Sequence, residues 1–171
     1  MQMVKKVLLI LFTGWLALLL FMPKQELFYK LEEVLARDEV KINERQIEEG
    51  PFSLTVKEAD IYVKGVKVAK VTKLTFFTLL FYSEIRLEGL IPEESLKAVS
   101  PGKTESAVVR HSLLAPMEAK VHAVGSFGEL DGTVALGERK LRLDFIEIKK
   151  IDTIKSLLKK DEQGWYYETS F

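Results

Sequence analysis

The chain has 171 residues, with 25 basic and 25 acidic side chains, two histidines and no cysteine. A neutral balance excludes a domain that grips polyanions through bulk charge, so no nucleic-acid partner is expected. The missing thiols exclude disulfides, thiol catalysis and cysteine metal sites.

Residues 7–22 form the first element, a run without a single charge. Val7, Leu8, Leu9, Ile10, Leu11, Phe12, Trp15, Leu16, Leu18, Leu19, Leu20 and Phe21 are its apolar members. As a helix the run spans ~24 Å, somewhat less than a ~30 Å hydrocarbon core, and the stems of Lys5 and Lys6 can extend it. Cleavage of a signal peptide needs small residues just before the cut. Ala17 is followed only by Leu18, Leu19, Leu20, Phe21 and Met22, and no cysteine is available for lipid attachment. The expected reading is an uncleaved transmembrane anchor; a cleaved signal peptide and a buried core helix are the alternatives. Lys5 and Lys6 precede the run, so the short N-terminal flank is expected in the cytoplasm and the rest outside it. That outer part carries 23 basic and 25 acidic residues and is close to neutral.

Residues 1–24 are therefore a cytoplasmic stub and anchor, 25–38 an amphipathic helix, and 39–171 a mainly β domain. Leu27, Phe28, Leu31, Val34 and Leu35 recur at helical spacing. This stripe is expected to cap one end of the β core; lying on a membrane surface is the alternative. Gly50-Pro51 marks a turn, after which Phe52, Leu54 and Val56 alternate with polar residues. Lys64-Gly65 suits a tight hairpin. Residues 74–81 are apolar on both sides of a strand, with Phe76 and Leu80 facing one way and Phe77, Leu79 and Phe81 the other. Pro92, Glu93 and Glu94 can start a short helix. Strands follow over 108–114, 121–127, 130–136 and 140–145. Gly125, Gly128 and Gly132 suggest bends in a curved sheet. Asp152 is expected to cap a short helix containing Ile154, Leu157 and Leu158, with Lys159 and Lys160 in its last turn. Trp165, Tyr167 and Phe171 alternate along a closing strand. The expected fold is mainly β with short helices: an N-terminal transmembrane helix followed by a curved antiparallel sheet.

Little in the chain points to chemistry. His111 and His122 have no second histidine at ligand spacing. Glu32-Glu33, Glu48-Glu49 and Glu93-Glu94 are adjacent in sequence, so on a helix or a strand their side chains diverge. Ser53, Ser83, Ser95 and Ser112 lie in no nucleophile elbow, and no phosphate loop occurs. No catalytic residue, metal or cofactor is expected. Phe76, Phe77, Leu79, Leu80 and Phe81 are the candidate lining of an apolar groove.

Several stretches carry a resemblance: residues 51–62, residues 64–69, Gly128-Glu129-Leu130-Asp131-Gly132-Thr133-Val134, and Leu157-Leu158-Lys159-Lys160 through Trp165-Tyr166-Tyr167. In these the chain resembles the type II secretion system protein N family. The resemblance implies one bacterial inner-membrane span, a periplasmic β domain related to AsmA-like lipid-transfer proteins, and no catalytic residues. It also implies a non-enzymatic subunit of a protein secretion system, with the membrane and other secretion-system subunits as partners. The alternative is a lipid-binding or lipid-transfer protein, AsmA-like or lipopolysaccharide-transport-like, with an apolar groove.

Overall fold

The computed structural model describes residues 2–96, 102–148, 154–162 and 164–171. It is mainly β: an antiparallel, open, 11-stranded sheet with two α-helices. The expected cap at Asp152 lies outside the described residues.

Helix α1 spans Gln2–Phe21, and α2 spans Lys24–Arg37. Pro23 separates them, because proline lacks the N–H that would continue a helical ladder. Along α1 the side chains stand free of the domain: Leu8 is 61% exposed, Ile10 69% and Phe21 86%. Trp15 and Leu16 are half-buried, with the Trp15 ring 5.4 Å from that of Phe81. Among the described residues no helix is long and apolar enough to cross a membrane. The expected transmembrane span therefore lacks structural support. The alternative of a buried core helix is not seen either, because most of the described apolar side chains of α1 face outward.

Helix α2 forms where the apolar spacing predicts it, with Glu26 in the first turn and Arg37 in the last, both favourable to the helix dipole. Phe28 is 3% exposed and sits against Leu54, Val56 and Ala59 of the sheet. The helix caps the β core, as expected, yet Leu27, Leu31 and Val34 stay exposed beside that contact.

The strands are β1 (Val40–Asn43), β2 (Gln46–Glu49), β3 (Ser53–Val63), β4 (Val66–Leu79), β5 (Tyr82–Pro92), β6 (Thr104–Ser112), β7 (Glu118–Gly125), β8 (Gly128–Ala135), β9 (Lys140–Ile148), β10 (Lys159–Asp161) and β11 (Gly164–Ser170). They pair in the order β1-β3-β4-β5-β6-β7-β8-β9-β11-β10, and β2 joins the same edge of β3 as β1. Most connections are short, so sequence neighbours become spatial neighbours. Lys64 (φ 52°) and Gly65 (φ 76°) form the expected hairpin, whose twist needs positive φ at both central residues.

Two expectations change. Residues 155–157 make a single 3-10 turn, and Lys159 and Lys160 lie in β10 rather than in a last helical turn. Lys159 pairs opposite Tyr166 and Lys160 opposite Trp165, so the ladder of β11 captures them. The strand expected over 74–81 ends at Leu79, and Leu80-Phe81 is a two-residue turn with Leu80 at φ 53°.

A line of irregularities crosses the sheet. Glu58 (φ 50°) and Gly89 (φ 66°) have left-handed backbones, and Thr72 lies between them. Register shifts continue the line at Thr104/Ser106 on β6, and a further shift lies at Glu129/Leu130 on β8. The apolar phase of three strands shifts by one residue here: Leu54 and Val56 give way to Ala59, Leu74 and Phe76 to Val71 and Ala69, and Leu87 to Leu90. On β3 and β5 a left-handed residue re-aims the side chains beyond it, and β4 between them shifts in step, so burial stays on one face although the alternation breaks.

Phe28→Ala is expected to destabilise the domain by about 3–5 kcal/mol, read as a lower midpoint in thermal denaturation. A left-handed alanine costs about 1–2 kcal/mol, and a Cβ at position 89 would collide with Thr72 Oγ1. Gly89→Ala is therefore expected to lower the melting midpoint by several degrees, whereas Gly14→Ala, where a Cβ meets nothing, leaves it unchanged.

Candidate functional site

Register alone places two apolar rows on one face. The first runs Leu54, Phe76, Ile85, Val109, Val121, Gly132, Leu143 and Tyr167. The second runs Val56, Leu74, Leu87, Ala107, Ala123, Leu130 and Phe145. Between them on the opposite face runs Thr55, Thr75, Arg86, Val108, His122, Asp131, Asp144 and Tyr166. The sheet thus has one apolar and one polar side, the pattern expected when antiparallel strands face water on one side.

The apolar side is covered at its two ends. At β3 and β4 the cover is α2, through Phe28. At β8 and β9 it is the segment carrying Ile154, which joins Ala123, Phe127, Leu130 and Phe145 in a second core. Phe127 and Phe145 meet there edge to face with centroids 6.4 Å apart, a favourable aromatic geometry. Between the covers, Ile85 is 41% exposed, and Leu87, Val109 and Val121 are only half-buried. Among the described residues this stretch has no second layer.

Each cover leaves a hollow. One of about 220 Å³ lies between α2 and the sheet, lined by Met22, Lys24, Leu27, Phe28, Leu31, Phe52, Leu54, Phe76 and Thr78. The other, about 270 Å³, is lined by Phe127, Leu130, Leu143, Phe145, Ile154, Leu157, Leu158 and Tyr167. Either is smaller than the ~300 Å³ at which small-molecule pockets begin. Together with the half-buried rows between them they form one apolar track. From β4 to β8 it covers four strand spacings, ~19 Å.

The five residues expected to line a groove do not share a surface. Phe76 faces α2, its ring 6.2 Å from that of Phe28. Phe77 and Leu79 point to the other side, and Phe77 packs on Tyr82. Leu80 and Phe81 form the turn. The track instead uses Ile85, Leu87, Val109 and Val121, modest aliphatic residues with nothing unusual in their local sequence. Their alternation was visible; which alternating side lacked a cover was not.

The polar side is held by ion pairs. Glu84 accepts hydrogen bonds from Tyr82, from Arg86 at 2.7 Å and from Arg110 at 3.2 Å. The hydrogen bond from Tyr82 is the largest of the influences holding its carboxyl below the usual range. Arg142 reaches Asp144 and Asp161 and lies 4.1 Å over the Tyr166 ring. His122 and Asp131 are 2.8 Å apart on this side, whereas His111, on the other face by alternation, contacts the Pro116 carbonyl at 3.2 Å. The histidines are not brought together. Among the described residues no cluster of three or more His, Asp or Glu could hold a metal ion. No protein-family model, curated protein or solved structure matches the chain.

One carboxyl stands out. Glu32 of α2 is pushed up to about 7, first by desolvation, then by the charge of Glu44 and a hydrogen bond shared with it. The native state therefore holds this proton more tightly than the unfolded chain does. The contribution of Glu32 to stability is fully present below the ordinary value of 4.5 and is lost as pH rises from there towards 7. Glu32→Gln is expected to remove that decline, so that melting midpoints of variant and parent diverge above pH 7 and converge near pH 4. Urea denaturation across that range checks it.

Proposed function

We propose that the chain is a membrane-anchored, non-catalytic module that holds a lipid acyl chain along the apolar face of its sheet. The observation that carries this reading is the continuous track between the two hollows, which among the described residues has no second layer over β5–β7. An apolar surface of that kind marks a site for a ligand or partner. The hollow between α2 and the sheet includes Met22, immediately after α1, so the track begins beside the anchor. A lipid leaving the bilayer along α1 would meet it there.

In this reading α1 enters the bilayer of the bacterial inner membrane, with the N-terminus in the cytoplasm and the sheet in the periplasm. Its exposed apolar side chains support membrane insertion. The shortfall in length is modest, and local bilayer thinning with snorkelling of Lys5 and Lys6 is the usual accommodation.

The resemblance to secretion protein N carries a second reading, a subunit of an export machine. The open sheet is compatible with partner binding, but its margins are poor templates for strand addition. In β10, Lys159, Lys160 and Asp161 are all exposed, and β2 has only four residues, three of them exposed. Short, charged margins discourage edge pairing, so a partner subunit would use the apolar track. Unchanged secretion in a deletion strain would remove this second reading.

Mass spectrometry of the gently extracted protein tests the first. The parent is expected to carry phospholipid or glycolipid, and Leu87→Glu, in the centre of the track, to lose most of it while still melting cooperatively. A folded parent without lipid overturns the proposal.

A further inference from the structure

Alternate turns of an antiparallel meander emerge on the same margin of a sheet. Here the margin formed by the β4–β5, β6–β7 and β8–β9 turns and the C-terminus is apolar. Phe81 is 56% exposed, Leu113 56%, Leu114 90%, Met117 63%, Leu136 44% and Phe171 64%. The tips are joined into one row by main-chain hydrogen bonds. Leu113 N–H donates to the Phe81 carbonyl at 2.9 Å, Leu136 N–H to that of Met117 at 2.8 Å, and Phe171 N–H to that of Arg139 at 3.0 Å. The opposite margin is more polar: among the described residues its turns include Lys64-Gly65, residues 93–96, Ser126-Phe127 and Asp161-Glu162, Phe127 is turned inward, 3% exposed, and Val66 beside the first tip is 59% exposed.

We infer that the apolar margin is a second membrane contact, a row of tips that dips into the interface of the bilayer holding α1. This rests on the reading of α1 as membrane-inserted. The occupant follows from continuity: Phe81, at one end of the row, stacks on Trp15 of α1. The charges at this margin are of both signs, Lys120 with Glu118, Lys140 with Glu138, and Arg139 in the β8–β9 tip. The contact is therefore apolar in origin, and anionic lipid is not required. Anchoring at both α1 and the tips would hold the strands steeply to the membrane, with the Lys64-Gly65 hairpin farthest from it.

The absence of native cysteine permits single labels. Leu11→Cys, Leu114→Cys and Lys64→Cys variants of the full chain would each carry an environment-sensitive fluorophore. They would be reconstituted in phosphatidylcholine vesicles with and without a headgroup-proximal spin-labelled lipid. The expected result is several-fold stronger lipid quenching at position 114 than at 64, a blue-shifted emission at 114, and no change when phosphatidylglycerol or salt is added. Solvent-like, unquenched emission at 114 while position 11 remains in the lipid overturns this inference and leaves the anchor standing. Position 11 outside the lipid overturns the anchor and this inference with it. Shielding at 114 that follows protein concentration rather than lipid also overturns it, in favour of contact between copies of the chain.

Discussion

A single-layer sheet has one apolar face, and among the described residues only α2 and the segment carrying Ile154 pack over it. Every other feature depends on how that face is closed. Phe28 closes one end and Ile154 the other, each seated in a small cluster rather than in a continuous layer. The largest fully buried side chains are only valines, Val56 and Val71. The middle of the face is left with aliphatic residues half in water. The cost of exposing them has to be met by an occupant or borne by the fold.

The line of irregularities makes this arrangement workable. Without the left-handed residues at Glu58 and Gly89, β3 would present Ala59, and β5 Leu90, to the polar side. With them, the apolar face stays continuous past the bend. Bulges also raise the local twist, so the device that keeps the face apolar is the one that curves it. Thr72 donates to the Gly89 carbonyl at 3.2 Å across the line, which ties two of the re-aimed strands together.

Helix α1 and the sheet are linked in the same way. Trp15 rests on Phe81, and Met22 contributes to the hollow under α2. The apolar helix, the apolar turn row and the beginning of the apolar track therefore lie at one margin of the domain. A membrane below that margin would satisfy the helix and the turns together, and would place the track within reach of lipid. The polar side, tied by Glu84 and Arg142, faces water in that arrangement.

Much of this was legible in the sequence. The uncharged run of residues 7–22, the stripe of α2, the Lys64-Gly65 hairpin and most strands follow from periodicity and turn chemistry, which are local properties. In the terminal segment Ile154, Leu157 and Leu158 have helical spacing, while β11 offers Lys159 and Lys160 a ladder that spacing cannot reveal. Phe76, Phe77, Leu79, Leu80 and Phe81 suggest a groove because the stretch is apolar on both sides, but a strand sends alternate side chains to opposite faces and a turn interrupts this one. By itself the sequence determined which residues alternate and that the N-terminal run is apolar. Only the tertiary structure decided which side of the sheet goes uncovered and which turns share a margin, because both depend on pairing between strands far apart in the chain.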